Sequence, residues 1–309
     1  MSTGKENNFL VSISLDRNKK VNDKTRTYRN GKGSFDKVLN GINLVKKHEL
    51  PLGICLVLNQ NTIQNLTETY DFLSNNKLNF NVILLTNSGD AINNMDDIGL
   101  LPLEYSTAWI KLYDLWLEDN NNLYASDFIN KTSGILRGCS GDCIGSLNCS
   151  MGTISTDHHS YVYPCATMSP DPDWVYGNIN DNNILNLMKS KNAKKALTRK
   201  VDKQCTTYKW QKVCNGECMS RVDKFFGHTS TRDYYCSGLY EIYEHIEKRI
   251  KEFDSVDLSY LPKENLNTKK SKHKDNRIIA FKNYERINSK ETTTVNKFNI
   301  NKSINIVNI

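Results

Sequence analysis

Three apolar runs alternate with two amphipathic stretches in the first hundred residues of the chain. The runs cover 9–16, 52–58 and 80–86 and are rich in β-branched and aliphatic residues, which predicts buried strands. Apolar side chains recur at helical spacing over 34–48 and 63–73. The order strand, helix, strand, helix, strand with short connections predicts an α/β fold of parallel units joined by right-handed crossovers.

The first predicted strand has no earlier strand to pair with, because it begins within ten residues of Met1. Parallel strands that are apolar throughout need helices on both faces and strands at both edges. We therefore expect the outer edge of this strand to be exposed unless a segment absent from this sequence covers it.

Beyond residue 91 the pattern is less regular. The predicted elements are helices over 105–117, 184–188 and 232–251, and a hairpin with strands over 152–154 and 161–163. The hairpin turn contains Asp157, His158 and His159. An Asn-rich link is expected after the first of these helices, and the apolar face of the last one is formed by Leu239, Ile242, Ile246 and Ile250.

The net charge of +7 is concentrated at the end of the chain. Residues 261–309 hold 11 Lys and Arg against 4 Asp and Glu, so the preceding 260 residues are neutral overall. This removes the electrostatic argument for nucleic-acid binding by the folded part of the chain. The Lys- and Asn-rich composition predicts a disordered basic tail over 254–309, and a polyanion-binding arm is the alternative.

Eight of the nine cysteines lie between residues 139 and 236. No export signal follows Met1, and no run approaches the ~18 apolar residues of a membrane span. We therefore expect a cytoplasmic protein, in which glutathione keeps thiols reduced. An odd number of unevenly spaced cysteines favours metal ligands over a disulfide framework.

Three stretches in the first half resemble the radical S-adenosylmethionine enzymes: 11–16 (VSISLD), 22–26 (NDKTR) and 31–42 (GKGSFDKVLNGI). In that family the region spans the fourth strand of a six-strand partial β/α barrel and the helix that follows. The resemblance implies that residues 1–95 form the C-terminal half of a partial, TIM-like β/α barrel, and that 96–138 form a connecting helix and linker.

The cysteine block resembles the SPASM extension of the same family, which binds auxiliary iron–sulfur clusters in peptide-modifying members. The matching features are Cys143-x5-Cys149, Tyr163-Pro164-Cys165 after a hairpin, and Cys214-x3-Cys218. The resemblance implies a small cysteine-rich SPASM domain over 139–253. It also implies that one auxiliary [4Fe–4S] cluster is bound by Cys143, Cys149, Cys165 and Cys218.

The family pattern implies a second cluster at Cys205, Cys214 and Cys236. Its fourth ligand is expected three residues after Cys205, where this chain has Tyr208, so the second site is one thiolate short. The second cluster is then absent, has an open iron, or takes another ligand, for which Cys139 is the first candidate and His228 the next. We favour the alternative that Cys139 is a small buried side chain.

The family's Cys-x3-Cys-x2-Cys loop, which chelates S-adenosylmethionine through its cluster, is missing, because Cys55 is the only cysteine before residue 139. Either the chain is a truncated or split piece whose first strands are encoded elsewhere, or it is a degenerate homologue that has lost radical initiation. The exposed-edge argument favours the first explanation. A separately encoded N-terminal barrel half is then an expected partner.

Ser14 and Arg26 resemble family positions that contact the ribose and the carboxylate of S-adenosylmethionine. A guanidinium presents a planar fork that suits a carboxylate, and a strand-end Ser can donate to a sugar hydroxyl. The alternative roles are those of an ordinary strand-end polar residue and a loop cation. Asp16 is a candidate to cap the loop that follows it.

Ala166 follows Cys165 at the place where the sulfatase-maturing branch of the family has an Asp, its proposed general base. Alanine cannot accept a proton, which argues against sulfatase maturation and for another peptide-maturing branch. We expect His158 and His159 to be exposed turn residues, with proton transfer near a substrate as the alternative.

The sequence is identified as the C-terminal portion of a radical S-adenosylmethionine/SPASM peptide maturase, with no nameable catalytic residue. This implies one auxiliary [4Fe–4S] cluster, leaves a second open, and implies S-adenosylmethionine in the intact enzyme. The substrate would be a ribosomally made peptide or protein. The alternative is a non-catalytic peptide-binding module stabilised by an iron–sulfur cluster or by zinc.

Overall fold

The computed structural model describes residues 9–140 and 142–254. These residues divide into two units. Unit 1 contains residues 9–133 and 235–254, and unit 2 contains residues 134–140 and 142–234. The predicted basic tail falls, apart from residue 254, outside the described residues.

Both units combine strands with helices. The strands are β1 (Val11–Ser14), β2 (Leu52–Leu58), β3 (Asn79–Leu84), β4 (Ser155–Thr156), β5 (Tyr161–Tyr163) and β6 (Gly177–Asn178). The α-helices are α1 (Lys19–Thr25), α2 (Phe35–Lys47), α3 (Leu66–Asn75), α4 (Met95–Ile98), α5 (Pro102–Glu118), α6 (Ser126–Arg137), α7 (Ile184–Leu187), α8 (Lys191–Leu197), α9 (Gln211–Cys214), α10 (Met219–Phe226) and α11 (Cys236–Asp254). Short 3-10 helices cover Ile63–Asn65, Gly89–Asn93, Cys149–Met151, Ala166–Met168, Pro172–Trp174 and Lys203–Thr207.

Unit 1 is built on a parallel sheet in the order β1-β2-β3. The predicted alternation of strands and helices is confirmed, since α2 lies between β1 and β2 and α3 lies between β2 and β3. One face of β2 is fully covered, because Ile54, Leu56 and Leu58 are at most 1% exposed. Successive side chains point to opposite faces, so the other face, which includes Cys55, is only partly covered.

The outer edge of β1 is open in the part of the chain that the structure describes, because no strand there pairs with it. Phe9 and Leu10, which precede the strand, are 56% and 70% exposed. On the other side of the sheet, a single parallel bridge between Phe80 and Ala125 continues the pairing beyond β3. The sequence-based expectation of an exposed first edge therefore agrees with the described residues.

Helices α5 and α11 pack against each other in unit 1. On the predicted apolar face of α11, Ile242 and Ile246 are 0% exposed. Aromatic rings also pack on α5, where the Trp109 and Phe128 ring centroids lie 4.7 Å apart. The Trp109 Nε1 donates to Asp127 Oδ2 at 2.6 Å, which satisfies the only polar atom of a fully buried indole.

Several predicted boundaries were wrong. Helix α6 lies where the sequence analysis expected the second half of an Asn-rich link. It was not predicted because polar residues such as Thr132 and Ser133 occupy buried positions, which hides the apolar period. The first hairpin strand is β4 rather than 152–154, and the turn before β5 is fixed by Asp157, whose Oδ1 accepts from the Tyr161 amide at 2.9 Å. Helix α11 lies in unit 1, although the predicted domain over 139–253 included most of it. Helices α1 and α10 were not predicted.

Unit 2 contains a small antiparallel sheet, β4-β5-β6, and a modest apolar core. Val162, Met168, Trp174 and Met219 form the centre of this core, and Cys165 packs against it. The Trp174 Nε1 donates to Asp223 Oδ2 at 2.8 Å, which ties the loop after β5 to α10. The core therefore holds the segments that carry Cys165 and Cys218 close to each other.

None of the helices in the described segments has the combination of length and apolar character that a membrane-crossing helix requires.

We predict that Ile242→Ala lowers the free energy of unfolding by about 2–5 kcal/mol, because the truncation leaves a cavity between α5 and α11. Urea unfolding followed by circular dichroism measures the change. Lys248→Ala, on the exposed side of the same helix, is the matched control and should change the value by less than about 0.5 kcal/mol. Equal effects of the two substitutions would contradict the packing described for α11.

Candidate metal centre

Four of the cysteines lie in loops of unit 2. Cys143 lies in a turn in which the Gly145 amide donates to Asp142 Oδ1 at 3.0 Å. The other three stand at the ends of helices: Cys149 begins a 3-10 helix, Cys165 precedes another, and Cys218 precedes α10. We call these four residues the four-cysteine site. All four are partly accessible, and Cys143 is exposed.

The electrostatics of the thiols show that they lie close together. Desolvation by surrounding protein atoms raises the pKa of the Cys143 thiol to about 11, although the residue as a whole is exposed, and Cys218, Cys149 and Cys165 each add to the rise. Burial also raises the pKa of Cys149, with further contributions from Cys218 and Cys165. The pKa of Cys165 is raised by burial and by Cys218. Since such interactions weaken steeply with distance, the structure brings together the four residues that the resemblance named, although their role as ligands stays a prediction.

The four thiols are chemically suited to a group that carries positive charge. Every cysteine in the chain is free of disulfides. Thiolates that raise one another's pKa repel each other when ionised, so binding in the thiolate form requires cations among them. Four thiolates are also the usual complement of a [4Fe–4S] cluster. The donor set therefore fits the group that the resemblance implied.

Buried hydroxyl groups beside these cysteines support the same fit. Within residues 9–140 and 142–254, Ser220 Oγ is buried without a hydrogen-bond partner, and Ser150 Oγ and Tyr176 Oη are buried close to each other, outside strict hydrogen-bond geometry. Ser150 follows Cys149 directly, and Ser220 lies two residues after Cys218. Burial raises the pKa of Tyr176 to about 12, against a smaller lowering by Ser150, and Cys165 and Cys149 add to the rise. Unsatisfied buried donors are costly, and cluster or cysteine sulfur atoms could accept from them.

The side chains are not arranged as ligands of one ion. Across the described segments, no three Cys, His, Asp or Glu side chains are placed so that they could hold a single metal ion. A four-iron cluster has different requirements, because each thiolate binds its own iron at a separate corner of the cluster.

The second predicted group is less complete. Cys205 and Cys214 are buried in unit 2, and Tyr208 is only partly exposed. Cys236 is the first residue of α11 in unit 1. The binding of one cluster by these residues stays a prediction.

Cys139 corrects one expectation from the sequence. It is exposed rather than buried, because it follows the end of α6 and Gly138, whose φ of 68° ends the helix. The interpretation as a small buried side chain is therefore wrong, and the role of an additional ligand stays a prediction. His228, the next candidate, is exposed, and its Nδ1 lies 3.1 Å from Ser230 Oγ.

Ser14 and Arg26 lie at the carboxyl end of the parallel sheet in unit 1. Ser14 is the last residue of β1, is exposed, and stands in register with Cys55. Burial raises the pKa of Cys55 and the Arg26 cation lowers it, so Arg26 also lies near this thiol. The structure therefore brings the two predicted cofactor contacts to the same edge.

Arg26 is already bound to a carboxylate. Its Nε donates to Asp16 Oδ2 at 2.7 Å and its Nη2 donates to Asp16 Oδ1 at 3.2 Å. Asp16 is 2% exposed, and its Oδ2 also accepts from Thr25 Oγ1 at 3.5 Å, so it bonds to the segment that follows it. Nη1 of Arg26 makes no hydrogen bond to any described residue, and the role of Arg26 as a cofactor contact stays a prediction.

The sequence also predicted two features near the hairpin. His158 and His159 are exposed in the turn, with ring centroids 3.8 Å apart, as expected for turn residues. Ala166 is exposed at the start of the 3-10 helix after Cys165. Its methyl side chain cannot accept a proton.

Arg199 was missed by the sequence analysis. It is 5% exposed and donates to three backbone carbonyl groups in unit 2, two of them in the interval between Cys214 and Cys218. A single Arg after a short helix carries no motif, so no signal in the sequence could have indicated this position.

Sequence comparison finds relatives among enzymes that mature sulfatases. The chain is 28% identical over 248 residues to a cysteine-type anaerobic sulfatase-maturating enzyme of Clostridium novyi, an alignment that covers 78% of this chain and 65% of the relative. It is 24% identical over 262 residues to a serine-type anaerobic sulfatase-maturating enzyme of Bacteroides thetaiotaomicron, with 78% and 63% covered. The chain is a homologue of these radical S-adenosylmethionine/SPASM enzymes. The resemblance stated from the sequence is confirmed.

The fold of the chain also resembles solved structures of an enzyme named anSMEcpe. A native anSMEcpe with bound AdoMet matches with a TM-score of 0.69 and 25% identity, over 82% of this chain and 70% of that one. A native anSMEcpe with bound AdoMet and Kp18Cys peptide matches with a TM-score of 0.66 and 25% identity, over 81% and 70%. No protein-family model matches the chain. The chain thus spans about two thirds of the length of the proteins that it resembles.

We predict that Cys149→Ser lowers the iron and acid-labile sulfide bound after anaerobic reconstitution by at least about half, because serine oxygen is a poor ligand for iron in such clusters. Cys55→Ser is the matched control, since Cys55 lies in β2 of unit 1, and should leave both values unchanged. Iron, sulfide and the broad visible absorbance of the cluster would be measured for each variant. A normal cluster content in Cys149→Ser would contradict the assignment.

Proposed function

We propose that this chain is the auxiliary-cluster portion of a radical S-adenosylmethionine/SPASM enzyme that modifies a peptide or protein. The observation that carries the proposal is the proximity of the four thiols of the four-cysteine site, in a homologue of enzymes of this kind. The site would bind one [4Fe–4S] cluster through Cys143, Cys149, Cys165 and Cys218.

The surroundings of this site support an electron-accepting or substrate-binding role. The reduction potential of a cluster depends on burial, on hydrogen bonds to its sulfur atoms and on nearby charge. Ser150, Tyr176 and Ser220 supply buried hydroxyl donors next to the cysteines. Cys143 and the neighbouring Asp142 are the accessible side, from which a peptide could approach.

S-adenosylmethionine, bound in the intact enzyme, would supply the hydrogen-abstracting radical. Two residues of this chain would contribute to its binding: Ser14 through its hydroxyl and Arg26 through its free Nη1. Asp16 would keep the Arg26 fork oriented, at the cost of sharing its charge. The solved relatives are described with bound AdoMet, which favours a cofactor of this class.

The substrate is proposed to be a peptide or protein of ribosomal origin. One solved relative is described with a bound peptide, and the curated relatives act as sulfatase-maturating enzymes. Ala166 lacks the carboxylate that the resemblance assigns to the general base of that branch. A peptide substrate without a requirement for that base is therefore favoured over a sulfatase.

Radical initiation by this chain alone is not expected, because the sequence has no Cys-x3-Cys-x2-Cys loop. We propose that a separately encoded barrel half supplies the loop and pairs with the open edge of β1. Free thiols throughout the chain favour a reducing, cytoplasmic environment for this assembly.

The proposal includes a second cluster, for which this chain has three of the four expected thiolates. Cys205, Cys214 and Cys236 are the expected ligands. Tyr208 replaces the fourth thiolate, and the exposed Cys139 is the substitute that the sequence offers. A competing function is that of a zinc-stabilised peptide-binding module, for which the thiolate ligands are chemically suited, although no three Cys, His, Asp or Glu side chains of the described residues are placed around one ion.

We predict that the purified, anaerobically reconstituted chain forms no 5′-deoxyadenosine above background from S-adenosylmethionine and dithionite, because the loop that positions the cofactor is missing. Chromatography with mass detection measures the product. A radical S-adenosylmethionine enzyme with an intact Cys-x3-Cys-x2-Cys loop is the positive control, and turnover by the chain alone would contradict the prediction. A colourless protein that retains zinc and no sulfide would favour the binding module instead.

A further inference from the structure

A backbone segment with unusual conformation joins the two cysteine groups of unit 2. Three consecutive residues between Cys214 and Cys218 have positive φ angles: Asn215 at 47°, Gly216 at 76° and Glu217 at 57°. Only glycine adopts this region without cost, so the segment has to be held by its neighbours. A Cβ at residue 216 would lie 2.6 Å from Val201 Cγ1, which leaves no room for another side chain there.

Arg199 holds this segment. Its Nη1 donates to the Glu217 carbonyl at 2.7 Å and its Nη2 donates to the Gly216 carbonyl at 2.9 Å. Its Nε donates to the Thr229 carbonyl at 3.3 Å. These bonds place the guanidinium next to the residue that precedes Cys218 in the chain.

The carboxylates nearby are bound by a different cation. Arg221 Nη2 donates to Glu217 Oε2 at 3.2 Å, and Arg221 Nε donates to Asp233 Oδ2 at 2.8 Å. Arg199, by contrast, has only carbonyl partners, and no carboxylate lies within ion-pair distance of it in the described part of the chain. A buried guanidinium is costly unless anions lie near it, and the one carboxylate that acts on Arg199, Asp233, is bound directly by Arg221.

Cysteines of the proposed cluster site and the Asp233 carboxylate lie near Arg199. Burial lowers the pKa of Arg199, while Cys218, Cys149, Asp233 and Cys214 act in the opposite direction. Two of these cysteines belong to the four-cysteine site, and their position around the cation agrees with its bonds to the Cys214–Cys218 interval.

We propose that Arg199 supplies the buried positive charge that stabilises the reduced form of the cluster at the four-cysteine site. This inference rests on the proposed function, because it requires a cluster there. A [4Fe–4S] cluster with four thiolates is anionic and gains one more negative charge on reduction, so a fixed cation favours the reduced form. Arg199 thus acts as a positioning residue for the ligand loop and as the charge that tunes the cluster.

The test compares Arg199→Gln, Arg199→Met and Arg199→Lys with the wild-type chain, and uses Lys200→Gln as a control at the exposed neighbouring position. Iron and sulfide are measured first. The fraction of reduced cluster is then measured by electron paramagnetic resonance at a fixed solution potential, without any activity assay.

We expect Arg199→Gln and Arg199→Met to lower the ratio of reduced to oxidised cluster about tenfold, equivalent to about 59 mV for one electron. Arg199→Lys, which keeps the charge, and Lys200→Gln should stay within about twofold of wild type. An unchanged ratio in the neutral variants, or an equal fall in Arg199→Lys, would overturn the proposal.

Variants that fail to retain iron also show whether Arg199 acts through its charge or only by holding the loop. Loss of iron in Gln and Met but not in Lys supports a requirement for charge at this position. Loss in all three assigns Arg199 to the loop alone and overturns the electrostatic role. A wild-type chain that binds no iron and sulfide would instead refute the proposed function, which is a separate outcome.

Discussion

Repulsion among closely spaced thiolates is the constraint on which unit 2 depends. The apolar core of this unit is modest, and loops rather than long helices carry Cys143, Cys149 and Cys165. Burial and, to a smaller extent, the neighbouring thiols raise the pKa of Cys143, which makes its ionised form unfavourable without cations. A bound cluster would remove that penalty and crosslink the loops, so cofactor loading and folding of unit 2 should be coupled.

Unit 1 is organised by a different principle. On one face of its sheet, apolar side chains of β2 such as Ile54 and Leu58 are fully buried. The packed helices α5 and α11 form a second buried region. The polar residues Ser14, Asp16 and Arg26 collect at the carboxyl end of β1, where parallel α/β sheets generally bind ligands. The buried apolar residues therefore lie along the strands, and the predicted cofactor contacts lie at one end of them.

The sequence predicted the parts of the fold that depend on local apolar periodicity. Strand β2 has the bounds that its apolar run indicated, and α2 ends at Lys47 within a residue of the predicted basic end. Helix α6 was missed because Thr132 and Ser133 occupy buried positions, where Thr132 Oγ1 donates to the Phe128 carbonyl at 2.8 Å. The four-cysteine site could be named because its cysteines resemble the pattern of a known family. Arg199 could not, because its role depends on three carbonyl groups that only the folded chain brings within reach.

The left-handed run from Asn215 to Glu217 has a consequence for how such a protein can change over time. Cys214 and Cys218 are separated by a segment whose length and conformation are fixed by Val201, Arg199 and the turn itself. An insertion or deletion of one codon there would displace a cysteine from each group at once. A substitution at a position such as 208 would affect one group only. The length of the Cys214–Cys218 interval is therefore constrained by both cysteine groups at once, whereas each of the other cysteines belongs to one group.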